Sequence, residues 1–209
     1  MATDGRTWNL AAELVPTRGE MAAILNVAKE RNARDYVFFA IASHTGLRLC
    51  EVGHLKTDDM VNGKLRVTRR KKRVLQPSTV EVSEAIWKLM VEWAQMFDGY
   101  LFPGYAKPCI IRRSRKGVRL PDEQACGGGH ISLRVIQRNW AMTVAEAGLR
   151  MPGRGIHQTR HYFATELYAA TRDLRATQVA LAHSSSAMTE KYAHVVDQKE
   201  KINLVKAVL

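Results

Sequence analysis

Only one stretch of this 209-residue chain alternates as a β-strand must. Lys64 to Thr68 alternates, a basic run from Arg69 to Arg73 interrupts, and Thr79 to Val82 alternates again, which predicts one hairpin with a basic tip. Most of the remaining chain carries the three-to-four-residue apolar spacing of helices. The predicted fold class is therefore mainly α with a small antiparallel β-hairpin or sheet (α+β).

Helix boundaries follow from caps and stops. Thr17-Arg18-Gly19-Glu20 reads as a capping box, and Met21, Ile24, Leu25 and Ala28 continue at helical spacing, so a helix is expected over 18–31. The apolar run Tyr36 to Ala42 is too long for a lone strand without turn signals, and Gly46 is placed to stop a buried helix. A short helix, Leu49 to Leu55, should follow and end in the polar stretch Lys56 to Asp59. Ser83 is expected to cap a helix whose apolar face is Ile86, Trp87, Met90, Val91, Ala94 and Phe97, with its aromatics in the core. From about 104 to 129 periodicity is lost, Gly127-Gly128-Gly129 appears, and Arg112, Arg113, Arg115, Lys116 and Arg119 cluster, which predicts a basic surface insertion. Helices resume at Leu133 to Ala147, His157 to Ala170, Leu174 to Ala182 and, briefly, Ala187 to Lys191. Beyond Asp197 a terminal helix places Ile202, Val205, Val208 and Leu209 on one face, which asks for an apolar partner.

Charge narrows the function. Lys and Arg outnumber Asp and Glu 32 to 20, a formal +12, which favours a polyanionic partner. No run of eighteen apolar residues exists and Met1 to Leu10 lacks the regions of a signal peptide, so a soluble, non-secreted protein with no membrane partner is expected. Cys50, Cys109 and Cys126, odd in number and widely spaced, argue for a reducing compartment. Cys109, Cys126 and His130 match no zinc spacing and no P-loop is present, so no metal or cofactor is expected.

The chemistry-bearing residues lie in two places. His157 and Arg160 project from one side of a helix, one turn apart, with His161 and Arg154 nearby. The segment from His157 to Thr165 (HQTRHYFAT), with Leu181-Ala182-His183-Ser184-Ser185 and Lys191-Tyr192-Ala193-His194-Val195, resembles the C-terminal signature of the tyrosine recombinases, the family of phage integrases and Xer recombinases. Upstream, Thr45 to Val52 (TGLRLCEV) resembles the family's first arginine motif, and Thr79 to Ser83 the closing strand of its hairpin. The resemblance covers Thr17 to Val196.

The resemblance implies a site-specific recombinase or integrase. Tyr192 would attack a DNA phosphodiester, forming a 3′-phosphotyrosine and freeing a 5′-hydroxyl, and another strand's hydroxyl would reverse the step without ATP or metal. Arg48 and Arg160 suit the non-bridging oxygens, where charge concentrates, because guanidinium forks give paired, charge-assisted hydrogen bonds. His157 and His183 would take the tyrosine proton or hydrogen-bond the phosphate. The leaving oxygen needs a donor, by resemblance a hairpin lysine, Lys71 or Lys72, of which Lys71 is preferred; the run could equally grip phosphates without passing a proton. Glu51, one turn from Arg48, would hold its guanidinium. Arg69, Arg70, Lys72 and Arg73, with Arg112, Arg113, Arg115 and Lys116 of the insertion, are expected on DNA.

Two positions depart from the pattern: Thr159 stands where the family usually has Leu, and Ala182 where Gly usually precedes the second histidine. The expected organisation is an N-terminal extension 1–16, a catalytic domain 17–196, and a C-terminal helix 197–209 docking on a neighbouring subunit. The family's helical core-binding domain is expected to be missing ahead of residue 17: the chain then resembles single-domain forms of the fimbrial-invertase type, or is a piece of a longer protein, or uses the basic insertion Arg112 to Arg119 as a substitute clamp. Implied partners are double-stranded DNA, further copies in a dimer or tetramer, and an accessory DNA-bending protein, in the nucleoid-associated cytoplasm of a prokaryotic or phage context. Alternatives are a type IB topoisomerase-like nicking and resealing enzyme, or a DNA-binding regulator of the same fold with impaired cleavage.

Overall fold

The computed structural model describes residues 15–71, 74–104, 129–149, 155–183 and 185–208. The extension before residue 15, Lys72 and Arg73 at the hairpin tip, and Arg112, Arg113, Arg115 and Lys116 of the insertion lie outside the described residues.

The helices, in chain order, are α1 (Arg18–Arg31), α2 (Ala33–Thr45), α3 (Leu49–Gly53), α4 (Glu84–Ala94), α5 (Leu133–Glu146), α6 (His157–Thr171), α7 (Leu174–Leu181) and α8 (Ala187–Val208). The strands are β1 (Met60–Val61), β2 (Lys64–Lys71) and β3 (Val74–Glu81) in an antiparallel sheet of order β1-β2-β3. The fold class is as expected, mostly helical with one small sheet.

α1 begins with the expected capping box: the Thr17 hydroxyl accepts from the Glu20 backbone N–H while the Glu20 carboxylate accepts from that of Thr17. The middle of α2, Val37 to Ala42, is apolar on every side, and a helix segment of that kind has to be central. Val37, Phe38, Phe39, Ala40, Ile41 and Ala42 are all buried, with α1, α4, α5 and α6 packed around them. Phe38 meets Phe102 at 4.8 Å and Phe39 meets Trp140 edge-on at 5.1 Å. The buried Asp35 carboxylate accepts from Arg34 and from Asn139 Nδ2 at 2.7 Å, tying α2 to α5.

Three expectations need correction. The basic run does not interrupt the hairpin: the ladder continues through Arg69↔Gln76, Arg70↔Leu75 and Lys71↔Val74, because backbone pairing does not require side-chain alternation. In α4 the helix ends at Ala94, Ser83 makes no side-chain cap bond, and only Ile86 and Met90 of the expected face are fully buried; Trp93, absent from that face, packs on the core and donates its indole N–H to the Leu101 carbonyl. Finally, Ala187 to Val208 is one 22-residue helix rather than a short helix and a separate tail, since no glycine or proline breaks it.

Two left-handed caps position the functional segments. Gly46 ends α2 at φ 63, and a Cβ there would stand 2.3 Å from Cδ1 of the Phe163 ring. Ala182 ends α7 at φ 50, a conformation that costs a residue with a Cβ about 1 kcal/mol or more. Gly46→Ala is therefore expected to destabilise the fold by about 2–4 kcal/mol, from left-handed strain plus overpacking, as read by urea unfolding. Ala182→Gly should move stability the other way, by up to about 1 kcal/mol.

Candidate active site

Arg48 follows the Gly46 turn and occupies the N-cap position of α3. Its guanidinium is one-third exposed and donates to Glu51 Oε1 at 2.8 Å, while Glu51 Oε2 accepts the Arg48 backbone N–H at 2.7 Å. Glu51 is itself buried, so both lone-pair sets of its carboxylate are spent on one residue, and the guanidinium is held in a fixed direction with part of its fork left to solvent.

α6 carries the next group. His157 is its first residue, and partial burial, then the charges of Arg160 and Arg48, lower its pKa below the ordinary imidazole value. Arg160, one turn on, is 6% exposed. It donates from Nη1 to the Gly46 carbonyl at 2.5 Å and from Nη2 to the Leu181 carbonyl at 2.7 Å. One buried guanidinium thus joins the end of α2, the middle of the chain's longest motif and the end of α7. Thr159, at the family's Leu position, is buried with its hydroxyl donating to the Ile156 carbonyl at 2.7 Å, so that departure brings in no unsatisfied group.

Tyr192 lies on the inner face of α8 and is 1% exposed. Burial pushes its phenol up to about 12, partly offset by Arg160. The His183 ring lies nearly parallel to it, 10° between planes and 6.2 Å between centroids, and His183 Nδ1 meets Thr189 Oγ1 at 2.9 Å. The Lys191 ammonium stands 5.2 Å from the Tyr192 ring centroid, its pKa lowered by burial and by Arg160.

The hydroxyl of Tyr192 does not meet His157 or His183. It meets Nδ1 of His161 at 3.1 Å. His161 and Lys191 are the residues that sequence reasoning left without a role. His161 sits one turn after His157 and was visible as a neighbour, but nothing in a helical spacing says which of two stacked histidines faces a residue 31 positions away.

Of the expected site residues, Arg48, Glu51, His157, Arg160, His183 and Tyr192 are gathered around the junction of α2, α3, α6, α7 and α8. Lys71 ends β2, paired with Val74, and β2 packs against α3; Arg69 and Arg70 precede it on the same strand. Among the described residues no group of three or more His, Cys, Asp or Glu could hold a metal, and no helix is long and apolar enough to cross a membrane.

Comparison with known proteins places this geometry. The model of the phage integrase family matches residues 16–199. A tyrosine recombinase XerC of Neisseria meningitidis is 32% identical over 165 residues, which are 76% of this chain and 46% of that protein. Among solved structures, a XerA recombinase superimposes with a TM-score of 0.66 at 21% identity, covering 92% of this chain and 63% of the other. A XerH site-specific recombinase bound to a palindromic difH substrate in a post-cleavage complex gives 0.65 at 22% identity, covering 92% and 53%. The chain spans about half the length, or less, of the curated relatives it matches. With the family model matching residues 16–199, the chain belongs to the phage integrase family.

Proposed function

We propose that this chain carries out DNA strand transfer in site-specific recombination, with Tyr192 as the covalent nucleophile. The observation that carries the reading is the junction built around Arg160: it brings the side chains of Arg160 and Tyr192, 32 residues apart, into electrostatic contact, with Arg48 and His157 adjoining. Attack by the phenol oxygen forms a phosphorus–oxygen bond and breaks the bond to the leaving deoxyribose oxygen. Negative charge then grows on the non-bridging oxygens, where Arg48 and Arg160 supply fixed donors. Glu51 and the Gly46 and Leu181 carbonyls fix those guanidiniums before substrate arrives, so little reorganisation is left for the reaction. His157, kept neutral over a wider pH range by partial burial and then by its cationic neighbours, suits a hydrogen bond to the phosphate.

The leaving oxygen takes its proton from Lys71 at the end of β2, with Arg69, Arg70, Lys72 and Arg73 gripping flanking phosphates and Arg112, Arg113, Arg115 and Lys116 adding a second contact surface. The Xer-named relatives favour exchange of strands between sites over relaxation of a single duplex. Further copies of the chain, in a dimer or tetramer on double-stranded DNA, would receive the end of α8, and an accessory DNA-bending protein would complete the assembly in the nucleoid-associated cytoplasm of a prokaryotic or phage host. The formal +12 charge supports the DNA partner.

A nicked suicide substrate, from which the cut end diffuses away, is expected to trap a denaturant-resistant adduct with the parent chain. Tyr192→Phe should bind the same DNA with unchanged affinity and give no adduct; an adduct in Tyr192→Phe sinks the assignment. Lys71→Ala should slow cleavage by about 10²–10⁴-fold on ordinary DNA. It should recover on DNA with a bridging sulfur at the leaving position, since a thiol of pKa about 8.5 leaves without a proton. Rescue seen instead with Lys72→Ala moves the donor by one residue.

A further inference from the structure

The helix that carries Tyr192 is held by a segment far away in sequence. Tyr192, Val195 and Lys199 are spaced three and four apart, so they share one face of α8. Beyond Tyr192 that face meets the two residues that lead into α1. Val15 is 2% exposed and forms a separate apolar cluster with the fully buried Val195, closed by Tyr162 of α6. One turn further along α8, the part-buried Lys199 ammonium donates to the carbonyls of Val15 at 3.2 Å and Pro16 at 3.4 Å. Burial lowers the Lys199 pKa while Glu166 and Glu20 raise it, so the ammonium has to be matched where it stands, and the two carbonyls match it. The segment is tied to the body of the domain on its other side. Arg18, the first residue of α1, pairs with Glu166 of α6, and α1 itself packs on α2.

We propose that Val15 and Pro16 form a strap that keeps α8 closed, and that release of this strap sets how often Tyr192 is presented to DNA. The proposal rests on the strand-transfer reading above, in which Tyr192 is the nucleophile. Tyr192 is 1% exposed, so α8 has to move before the phenol can meet a phosphate. A helix rises 1.5 Å per residue, which puts the two strap contacts about 5 and 10 Å along α8 from Tyr192. A rigid displacement of α8 that exposes Tyr192 therefore parts Val195 from Val15 and draws Lys199 off its carbonyls. The strap stays with α1 and the body of the domain while α8 leaves it. Ala164, Leu181 and Phe163 pack on Tyr192 directly, so the strap adds to the closed state without being its sole support. Strap and nucleophile are thus coupled in both directions: whatever seats Val15 keeps Tyr192 buried, and whatever unseats Val15 raises the fraction of molecules with α8 open.

Two measurements on the whole chain test this. Val15→Ala removes the apolar half of the strap, and Lys199→Met removes the ammonium while keeping a long apolar stem. The first measurement is amide hydrogen exchange without DNA. Amides from Lys191 to Val196 should exchange about 10-fold faster in Val15→Ala and about 3-fold faster in Lys199→Met, while those of β2 and β3 keep the parent rate. Exchange of α8 at the parent rate in both variants overturns the proposal, since α8 then opens without parting the strap. An equal rise in α8 and in the sheet also overturns it, since the opening is then unfolding of the whole chain. The second measurement is single-turnover cleavage of the nicked substrate. Val15→Ala should form the Tyr192 adduct faster than the parent, by up to the same factor, where loss of a merely supporting residue would slow it. Faster exchange of α8 with adduct formation at or below the parent rate overturns the proposal, because release of the strap then does not present the nucleophile. If even the parent forms no adduct, the strand-transfer reading fails, and exchange alone decides whether the strap holds α8.

Discussion

A buried guanidinium organises this molecule. Arg160 is 6% exposed, and a charge so withdrawn from water is tolerated only when its donors are matched. Two of them are matched by main-chain carbonyls at the ends of different helices, Gly46 after α2 and Leu181 closing α7. Each hydrogen bond to a charged group contributes about 1.5–3 kcal/mol, and removing the guanidinium leaves both carbonyls without their donor. The backbone at both ends is bent to suit: Gly46 and Ala182 take left-handed conformations that turn the chain back towards α6. Phe163, on the next turn of α6, closes over Gly46 so tightly that no Cβ fits. The first arginine motif and the second are thus parts of one packing unit, and the direction of Arg48 depends on the same turn that receives Arg160.

That unit sets the state of Tyr192, the proposed nucleophile. Tyr192 is packed with Ala164, Leu181 and Phe163, and burial there moves its phenol in the direction opposite to what nucleophilic attack needs. Ionising a phenol of pKa about 12 costs on the order of 7 kcal/mol at pH 7, too much to be met by waiting for the free phenolate. Proton removal in concert with attack avoids that cost, which is why the identity of the group on the hydroxyl matters more than the average charge of the pocket. A residue 1% exposed also cannot meet a phosphate where it stands. Engagement of DNA has to displace a wall of the site, and the walls here are α6, the α7–α8 turn and α8 itself.

The sequence carried the local signals of this fold and missed the ones that act across space. The capping box at Thr17 and the glycine stop at Gly46 reproduced α1 and the end of α2 because caps are chemical events within four residues. The strand ladder was read too short, since Arg69 to Lys71 look polar but pair through their backbones. A third strand had a visible signal that was not used: Asn62-Gly63, both at positive φ, is the turn that joins β1 to β2. The arginines and the tyrosine were legible through the resemblance alone, because helical spacing gave only weak support to any one of them. The contact of His161 with Tyr192 was not, since it comes from the packing of α6 on α8 rather than from the spacing of His161 to Arg160.

The way α8 is held shows where its mobility can come from. Its contacts from Ala193 to Glu200, among the described residues, are of two kinds. Val195 is fully buried with Val15 against Tyr162, and Val196 is 3% exposed. The rest are surface ties: Arg172 pairs with Glu200 and reaches Asp197, and Lys199 donates to the carbonyls of Val15 and Pro16. Exposed ion pairs contribute about 0–1 kcal/mol each and weaken with salt, whereas burying a valine contributes about 1.5–3 kcal/mol. Among the described side chains of α8, up to Glu200, the apolar stretch from Tyr192 to Val196 therefore holds the helix more strongly than the surface ties do. A displacement of α8 that opens the tyrosine to a phosphate has to break that stretch. Arg160 is fixed by backbone carbonyls at the ends of α2 and α7, so the proposed phosphate contact is tied to α2, α6 and α7 while the proposed nucleophile is carried by α8.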